Sequence, residues 1–458
     1  MFAYMKQKPG FYRQVVTLAA PIVLQNMITS TLSMADTFMV GLLGEAAMAA
    51  VTLANIPLFV VQLFIFGVQS GASVLISQYW GKGDRASINR VMGVALWVAL
   101  AFSTVVAVIL LICPVEFLSL FGNQRDVVVM AAEYGRYAGW AYVFNAVTMV
   151  YAATYRSMER PKLGMYVLGV SMCTNLFLNW VLIFGNLGAP ALGVAGAAIA
   201  TMISRILEVV IVVCHMTWNR FFRVELKWLF LPGPEMFHRF LRYGGLVVCN
   251  ETLWGLGTSL LPTIMGHMEG STEILAAYTV ASNVEKLCTV VAFGLAATAS
   301  VIIGREIGAG RGDQVKSIGA ALDTMAFACG IVFGGLLLCF VRFVAPVWVF
   351  PLFKLSPGAV SAATIMLTVI ALVMPLRDFN GANVVGVLRG GGDVKAATLI
   401  DTGPLWVFAI PYAALCGLVL RTSVFWVFLY YVVEQVTKSA IGLWRMRSGR
   451  WVRDLTKT

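Results

Sequence analysis

A small set of acidic, amide and hydroxyl residues lies inside long apolar segments of the chain. In the first half these residues are Asp36, Asn175, Asn179 and Thr201. A charged side chain in the hydrocarbon region of a membrane costs roughly 2–3 kcal/mol or more unless it faces a partner or a polar cavity. Oxygen ligands suit a hard cation, and a carboxylate among them can take up a proton instead. The residue types therefore predict a cation or proton site.

The spacing of these residues is compatible with a single site. Asn175 and Asn179 are one helical turn apart and share a face, and a rise of 1.5 Å per residue places them at depths similar to those of the carboxylate and the threonine. Two structural interpretations remain open. Hydroxyls such as Ser33 or Thr37 would satisfy the carboxylate of Asp36 locally, and the amides and the threonine would form packing hydrogen bonds between helices.

A second group of acidic residues lies in the apolar segments of the other half: Glu251, Glu285, Asp378 and Asp401. Glu251 and Asp378 fall near the middle of their segments. The sequence allows two roles for them, binding of a cation or substrate, or membership of a structural charge network in which Lys286 and Arg377 neutralise them. We interpret Asp401, nearer the cytoplasmic side, as a helix-packing or gating residue.

The elements that must position these residues are membrane-spanning helices. The 458 residues are 59% apolar and only 12% charged, with a mean hydropathy of +0.83, whereas a soluble domain carries about a quarter charged residues. Stretches of roughly 20 apolar residues, enough to cross a bilayer, recur along the chain. The predicted spans are 14–40, 50–79, 91–113, 131–156, 163–184, 193–215, 240–266, 274–304, 317–341, 360–388, 396–418 and 422–444.

The positive charge is distributed unevenly among the loops. Lysine and arginine are concentrated in alternate loops, beginning with Lys6 and Lys8, and are scarce in the others, where Lys354 is one of few. This pattern assigns Arg389 and Lys438 to the basic side. By the positive-inside rule both termini are cytoplasmic, which requires an even number of spans. The net charge of +11 thus follows from topology and contact with lipid headgroups, and no nucleic-acid partner is expected.

The chain divides into two halves that resemble each other. The predicted parts are an amino-terminal lobe at 1–216, an interfacial linker at 217–239, a carboxy-terminal lobe at 240–446 and a cytoplasmic tail at 447–458. Gly81 and Gly83 after the second span match Gly308 and Gly310 after the eighth, and such glycines end helices in a left-handed cap. Six spans per half make the repeat parallel, with a pseudo-two-fold axis along the membrane normal, an architecture typical of transporters.

Signs of enzymatic chemistry are missing from the sequence. The cysteines and histidines have no metal-ligand spacing, and no HExxH, GxSxG or Walker pattern occurs. We therefore expect no enzyme activity, no catalytic residue and no cofactor.

Several motifs, in order, resemble the multidrug and toxic compound extrusion (MATE) family. They cover nearly the whole chain and include Asp36-Thr37 followed by Gly41, Gly81-Lys82-Gly83-Asp84, Asn175 with Asn179-Trp180, Gly193 to Thr201, Leu388-Arg389 up to Asp393, Asp401, and Trp406 with Ile410-Pro411. Any one of these motifs is weak, but their order along the chain is specific. Within the family, the resemblance is to bacterial NorM- and DinF-like members.

The resemblance implies a secondary active antiporter of a bacterial cytoplasmic (inner) membrane, with two lobes that alternate access. It would export cationic amphipathic compounds in exchange for H⁺ or Na⁺ and work as a monomer. The family's cation site resembles Asp36, Asn175, Asn179 and Thr201, except that an aspartate would match at Asn179. That departure weakens the case for Na⁺. The alternative is a lipid-linked precursor flippase of the same wider superfamily, which would favour an anionic substrate.

Overall fold

A computed structural model describes residues 7, 9–122, 124–353 and 355–457. Lys6, Lys8 and Lys354, which entered the loop-charge prediction, lie outside the described residues, as does Thr458 at the end of the predicted tail. The described part of the chain is built from α-helices and contains no β-strand, apart from an isolated bridge between Gly392 and Val452.

Twelve helices of at least 11 residues follow one another along the described part of the chain. They are α1 (Phe11–Gly41), α2 (Glu45–Lys82), α3 (Arg85–Ile112), α4 (Arg125–Ser157), α5 (Lys162–Phe184), α6 (Gly193–Trp218), α7 (Pro234–Gly266), α8 (Ser271–Gly308), α9 (Gly312–Cys339), α10 (Pro357–Asn380), α11 (Val394–Pro404) and α12 (Tyr430–Ser448). Short helices precede α4 and α12, at Pro114–Leu118 and Val424–Phe428, and a third lies in the linker at Leu226–Phe230.

Wider π-helical turns prolong three helices of the second half. Phe340–Val349 continues α9, Gly381–Leu388 continues α10, and Leu405–Ala409 and Leu415–Val419 lie on the continuation of α11. Turns of this kind are often found at functional sites because they change which side chains face a neighbour. The stretch Gly381–Leu388 contains a buried asparagine, Asn383, whose side-chain contacts are described below.

The prediction of twelve spans is confirmed, since each predicted span lies on one of these helices once the short helices and the π-helical continuations are included. Nine helices of the described part are long and apolar enough to cross a membrane by length and composition alone. The three others carry the predicted spans 131–156, 240–266 and 422–444. Of these, α4 packs against α2, α3 and α6, so it is covered by protein on several sides.

One packed unit comprises Leu24–Val248. Within it α4 contacts α2, α3 and α6, and α5 contacts α6. The linker packs on α3, where Trp228 lies under the Arg90 guanidinium at 3.9 Å. A Cβ atom on Gly93 would come within 2.6 Å of the Leu229 carbonyl oxygen, so a glycine is needed for this approach.

The other unit comprises the described residues before Leu24 and those from Cys249 onward. Within it α10 contacts α8, α9 and α12, and α11 contacts α12. These are the same neighbour relations as in the first unit, counted six helices later, and they agree with the repeat read from the sequence. The boundaries of both units fall inside α1 and α7.

The glycine caps occur at the two matched positions. Gly83 ends α2 with φ of +79°, and Gly310 follows α8 with φ of +76°. A left-handed backbone of this kind carries no steric penalty for glycine. Gly81 and Gly308 lie in the last turns of the same helices. The repeated motif therefore encodes the same helix ending in both halves.

Candidate functional site

A chain of side-chain hydrogen bonds connects the four residues predicted in the first half. The Asn179 amide donates to Asp36 Oδ1 at 2.6 Å and to Asn175 Oδ1 at 3.0 Å. The Asn175 amide in turn donates to Thr201 Oγ1 at 3.3 Å. The structure thus brings together all four, from α1, α5 and α6.

Two local features hold α5 beside α6. Gly185 ends α5 in a left-handed conformation, and the Leu192 amide then donates back to the Leu182 carbonyl at 2.9 Å. On α6, a Cβ atom at Gly196 would lie 2.5 Å from that same carbonyl oxygen. Glycine at this position permits the close helix contact. Because the two helices approach so closely, Asn175 can reach Thr201.

The hydroxyl groups of Ser33 and Thr37 were the local alternative as partners for the Asp36 carboxylate. The Thr37 hydroxyl donates to the Ser33 carbonyl at 2.9 Å, and the described hydrogen bond to the Asp36 carboxylate comes from Asn179, 143 positions away. The carboxylate is therefore satisfied across helices. Asn179 is fully buried, both its amide hydrogens are used, and its Oδ1 has no partner among the described residues.

The chemistry of this group is that of an oxygen-rich, weakly charged site. It contains one carboxylate, two amide groups and one hydroxyl. Such donors can hold a hard cation through oxygen atoms, and the carboxylate can instead carry a proton. The nearest paired cation on α6 is Arg205, which is bound to Glu208 at 2.7 Å.

In the second half, Glu251 and Asp401 lie around one buried guanidinium. Arg389 Nη1 donates to Glu251 Oε1 at 2.8 Å, and its Nη2 lies 3.9 Å from Asp401 Oδ2. Lys438 lies 2.9 Å from Asp401 Oδ1 and 2.7 Å from Glu434 Oε1. The Arg389 and Lys438 side chains are 1% and 5% exposed. Three acids and two bases therefore form one buried network.

Glu285 belongs to a separate group. Its Oε1 lies 3.3 Å from Arg377 Nη2 and accepts a hydrogen bond from the Tyr431 hydroxyl at 2.7 Å. Asp378 is 2% exposed, and its Oδ1 has no partner among the described residues. The four predicted acids of this half are thus divided among three places. Glu251 and Asp401 contact Arg389, Glu285 pairs with Arg377, and Asp378 has no ion pair among the described residues.

Two sequence interpretations need correction. Arg389 and Lys438 were assigned to the basic side, but both are buried partners of acids, because the helical backbone of α10 continues past Leu388 and Lys438 lies in the interior of α12. Glu251 is neutralised by Arg389, and not by Lys286 or Arg377. The signal available in the sequence was the position of Arg389 in the motif that joins α10 to α11.

Known proteins are similar in sequence to this chain over most of its length. The MatE family model matches residues 21–181 and 245–415. A Thermotoga maritima protein named probable multidrug resistance protein NorM is 23% identical over 457 residues, covering 99% of this chain and 96% of that one. A Rhizobium meliloti protein of the same name is 27% identical over 420 residues, covering 88% of each chain.

A solved structure shows the same fold. A variant of the Vibrio cholerae MATE transporter VcmN superposes with a TM-score of 0.87 at 17% identity, covering 97% of this chain and 98% of that one. The predicted fold class, an all-helical membrane protein of twelve spans in two six-helix bundles, is confirmed by this likeness. With the family model matched along both halves, the chain belongs to the MatE family of membrane transporters.

Proposed function

We propose that this protein is a secondary active antiporter that exports cationic amphipathic compounds in exchange for H⁺ or Na⁺. The observation that carries the proposal is the hydrogen-bonded group of Asp36, Asn179, Asn175 and Thr201. It offers a carboxylate and several neutral oxygen atoms within the spanning helices, and an intramembrane acid of this kind is a functional site by default. The names of the relatives, probable multidrug resistance proteins, agree with export of varied compounds.

The exchange would depend on one acid that serves two ligands in turn. When Asp36 is ionised, it attracts a cationic substrate. When it holds a proton or Na⁺, that attraction is lost and the substrate leaves. The two ligands compete for one acid, and an empty carrier would bury an uncompensated charge. Return without a ligand is therefore disfavoured, and transport becomes exchange. Access to the two sides of the membrane would alternate by movement of the two lobes.

The amide side chain of Asn179 affects which coupling ion the site prefers. Na⁺ binding is stronger where more carboxylates contribute ligands, and Asn179 contributes no charge. A proton needs only one carboxylate. The composition of the site therefore favours H⁺ over Na⁺ as the coupling ion.

We place the protein in the cytoplasmic (inner) membrane of a bacterium, with both termini in the cytoplasm, and expect it to work as a monomer. Its bacterial relatives and the distribution of lysine and arginine support this placement. The partners in this proposal are small cationic molecules and the lipid bilayer. No bound cofactor takes part beyond the coupling ion.

Efflux of a fluorescent cation from proteoliposomes tests the proposal. Wild type is compared with Asp36→Asn under an imposed pH gradient or an imposed Na⁺ gradient. Asp126→Asn is the matched control, because it makes the same substitution at an exposed position in the first turn of α4. We expect one gradient to drive export by wild type and by the control, and Asp36→Asn to lose at least about tenfold in rate, equivalent to about 1.4 kcal/mol.

Two outcomes would contradict the proposal. Full gradient-driven export by Asp36→Asn would remove the coupling role of this acid. Failure of both gradients to move any cation through wild type would remove the antiporter function. In the second case, translocation of a fluorescent lipid-linked phosphate in the same vesicles would support the flippase alternative.

A further inference from the structure

Asp323 on α9 and Asn383 on the π-helical stretch of α10 form a buried pair that the proposed function does not use. The two residues are 1% and 0% exposed. The Asn383 amide donates to Asp323 Oδ2 at 2.7 Å. This pair lies in the second half of the chain and shares no residue with the Asp36 group or with the acids predicted from the sequence.

One side-chain oxygen atom of each residue in the pair lacks a hydrogen-bond partner among the described residues. These atoms are Asp323 Oδ1 and Asn383 Oδ1, and both are buried. Each is an acceptor when the acid is ionised, and a buried acceptor without a donor costs about 1–3 kcal/mol. A single proton on Asp323 Oδ1 would turn that oxygen into a donor for an acceptor such as an amide oxygen. A carboxylic acid and an amide can then form two parallel hydrogen bonds.

The orientation of the amide is supported by its second contact. The Asn383 nitrogen also donates to Met446 Sδ at 3.4 Å, so both amide hydrogens are used and the oxygen is left for the acid. On α12, a Cβ atom at Gly442 would lie 2.7 Å from Asn383 Oδ1, so glycine leaves room for this oxygen. Turning the amide over would set its oxygen against Asp323 Oδ2, which again requires a proton on the acid.

No ion pair with Asp323 occurs among the described residues, and several charged groups on the packed helices pair with one another. Glu285 of α8 pairs with Arg377 of α10, and Arg389 pairs with Glu251. Glu306 of α8 pairs with its neighbouring arginines. The other titratable groups on α8, α9, α10, α12 and the π-helical stretches are Glu273, Tyr278, Lys286, Cys288, Asp313, Lys316, Cys329, Cys339, Arg342, Asp378, Cys416, Tyr430, Tyr431, Glu434, Lys438, Arg445 and Arg447.

An ionised carboxylate buried without a cation is strongly disfavoured, and it becomes neutral by holding a proton. A metal ion would need several oxygen ligands, whereas the pair offers two oxygen atoms that lack partners among the described residues. A proton satisfies both atoms at once. The chemistry of the pair therefore selects H⁺ as its ligand.

We propose that Asp323 and Asn383 form a second proton-binding site, occupied in the conformation described here and separate from the Asp36 group. Loss of the proton would set two acceptor oxygens against each other between α9 and the π-helical stretch Gly381–Leu388. That repulsion favours separation of the two segments. The site thus joins protonation to helix packing in the second half, and its existence does not depend on which substrate is transported.

Infrared difference spectroscopy of the purified protein at neutral pH tests the proposal without a transport assay. The carbonyl stretch of a protonated carboxyl group lies above the amide and carboxylate bands. We expect wild type labelled with ¹³C-aspartate to show such a band. Asp323→Asn should lose one component of this band. Asn383→Leu should shift the same component to higher wavenumber, because the hydrogen bond to the carboxyl group is removed. Asp36→Asn and Asp378→Asn are controls that leave this component unchanged.

The Asn variant preserves the shape of the pair, because its amide can donate to Asn383 Oδ1 in place of the acid. We therefore expect Asp323→Asn to fold with a melting temperature within a few degrees of wild type. An Asp323→Asn spectrum identical to that of wild type in the protonated-carboxyl region would overturn the proposal. If that variant does not fold, absence of a protonated-aspartate band affected by Asn383→Leu would overturn it equally. Neither outcome would bear on Asp36 as the coupling acid.

Discussion

The Asn179 amide nitrogen lies 2.6 Å from Asp36 Oδ1 and so connects α5 to α1 across 143 positions of the sequence. The same nitrogen also donates to Asn175 on the preceding turn of α5. One amide group therefore organises the first-half site and occupies the position at which a second carboxylate would match the family pattern. Its replacement is the most direct way to alter ion preference.

Asn179→Asp should increase Na⁺ binding. A second carboxylate beside Asp36 adds charge to the ligand set, while in the absence of a cation the two acids repel each other or share a proton. We expect the melting temperature in detergent to rise with Na⁺ more steeply than in wild type, with an affinity gain of about tenfold. Asn186→Asp adds the same charge in the turn that follows α5 and should show no such gain. An unchanged Na⁺ dependence in Asn179→Asp would count against Na⁺ binding at this site.

Thr201→Val should weaken the site through a lost acceptor. Thr201 Oγ1 accepts from Asn175 and donates to the Ala197 carbonyl, so valine leaves the buried Asn175 amide unpaired at a cost of about 1–3 kcal/mol. Thermal unfolding in detergent should show a fall of several degrees. Thr201→Ser keeps the hydroxyl and is the matched control. Equal melting temperatures for the two variants would show that the 3.3 Å contact contributes nothing.

The pair Glu251–Arg389 should behave as a coupled unit. Removing one partner leaves an uncompensated buried charge and costs about 3–5 kcal/mol, whereas apolar replacement of both is much milder. We therefore expect Arg389→Met to reduce the melting temperature strongly, and Glu251→Leu to reduce it less, because Arg389 keeps Asp401 at 3.9 Å. The double variant should recover much of the loss, because Asp401 keeps its contact with Lys438. Additive losses in the double-mutant cycle would show that the two side chains do not interact.

Gly330→Ala should disrupt the contact of α9 with α10. A Cβ atom at Gly330 would lie 2.5 Å from Pro375 Cα and 2.8 Å from the Met374 carbonyl oxygen, both backbone atoms that cannot move alone. Overpacking of this kind costs about 1–3 kcal/mol. Gly335 is exposed on the same helix, and no described atom lies within 4 Å of the position that a Cβ would take there, so Gly335→Ala should be neutral or slightly stabilising. Melting temperatures of the two variants in one detergent provide the comparison.

The sequence alone determined the spans and the repeat. Hydropathy is a sum over neighbouring residues, and it marks a spanning helix whatever that helix packs against. Apolar length therefore located twelve helices, and the matched glycines identified the ends of α2 and α8. The first-half site could also be predicted from the sequence, because Asn175 and Asn179 share a helix face and the depths of Asp36 and Thr201 follow from the helix rise.

Only the tertiary structure decided which charges meet. Arg389 and Lys438 resemble loop cations in the sequence, yet both are buried beside acids from distant helices. Asp323 contacts Asn383 because a π-helical stretch of α10 packs against α9. The physical reason is that hydropathy fixes the depth of a residue along a helix axis. The direction in which its side chain points, and so its partner, depends on the rotation and packing of whole helices.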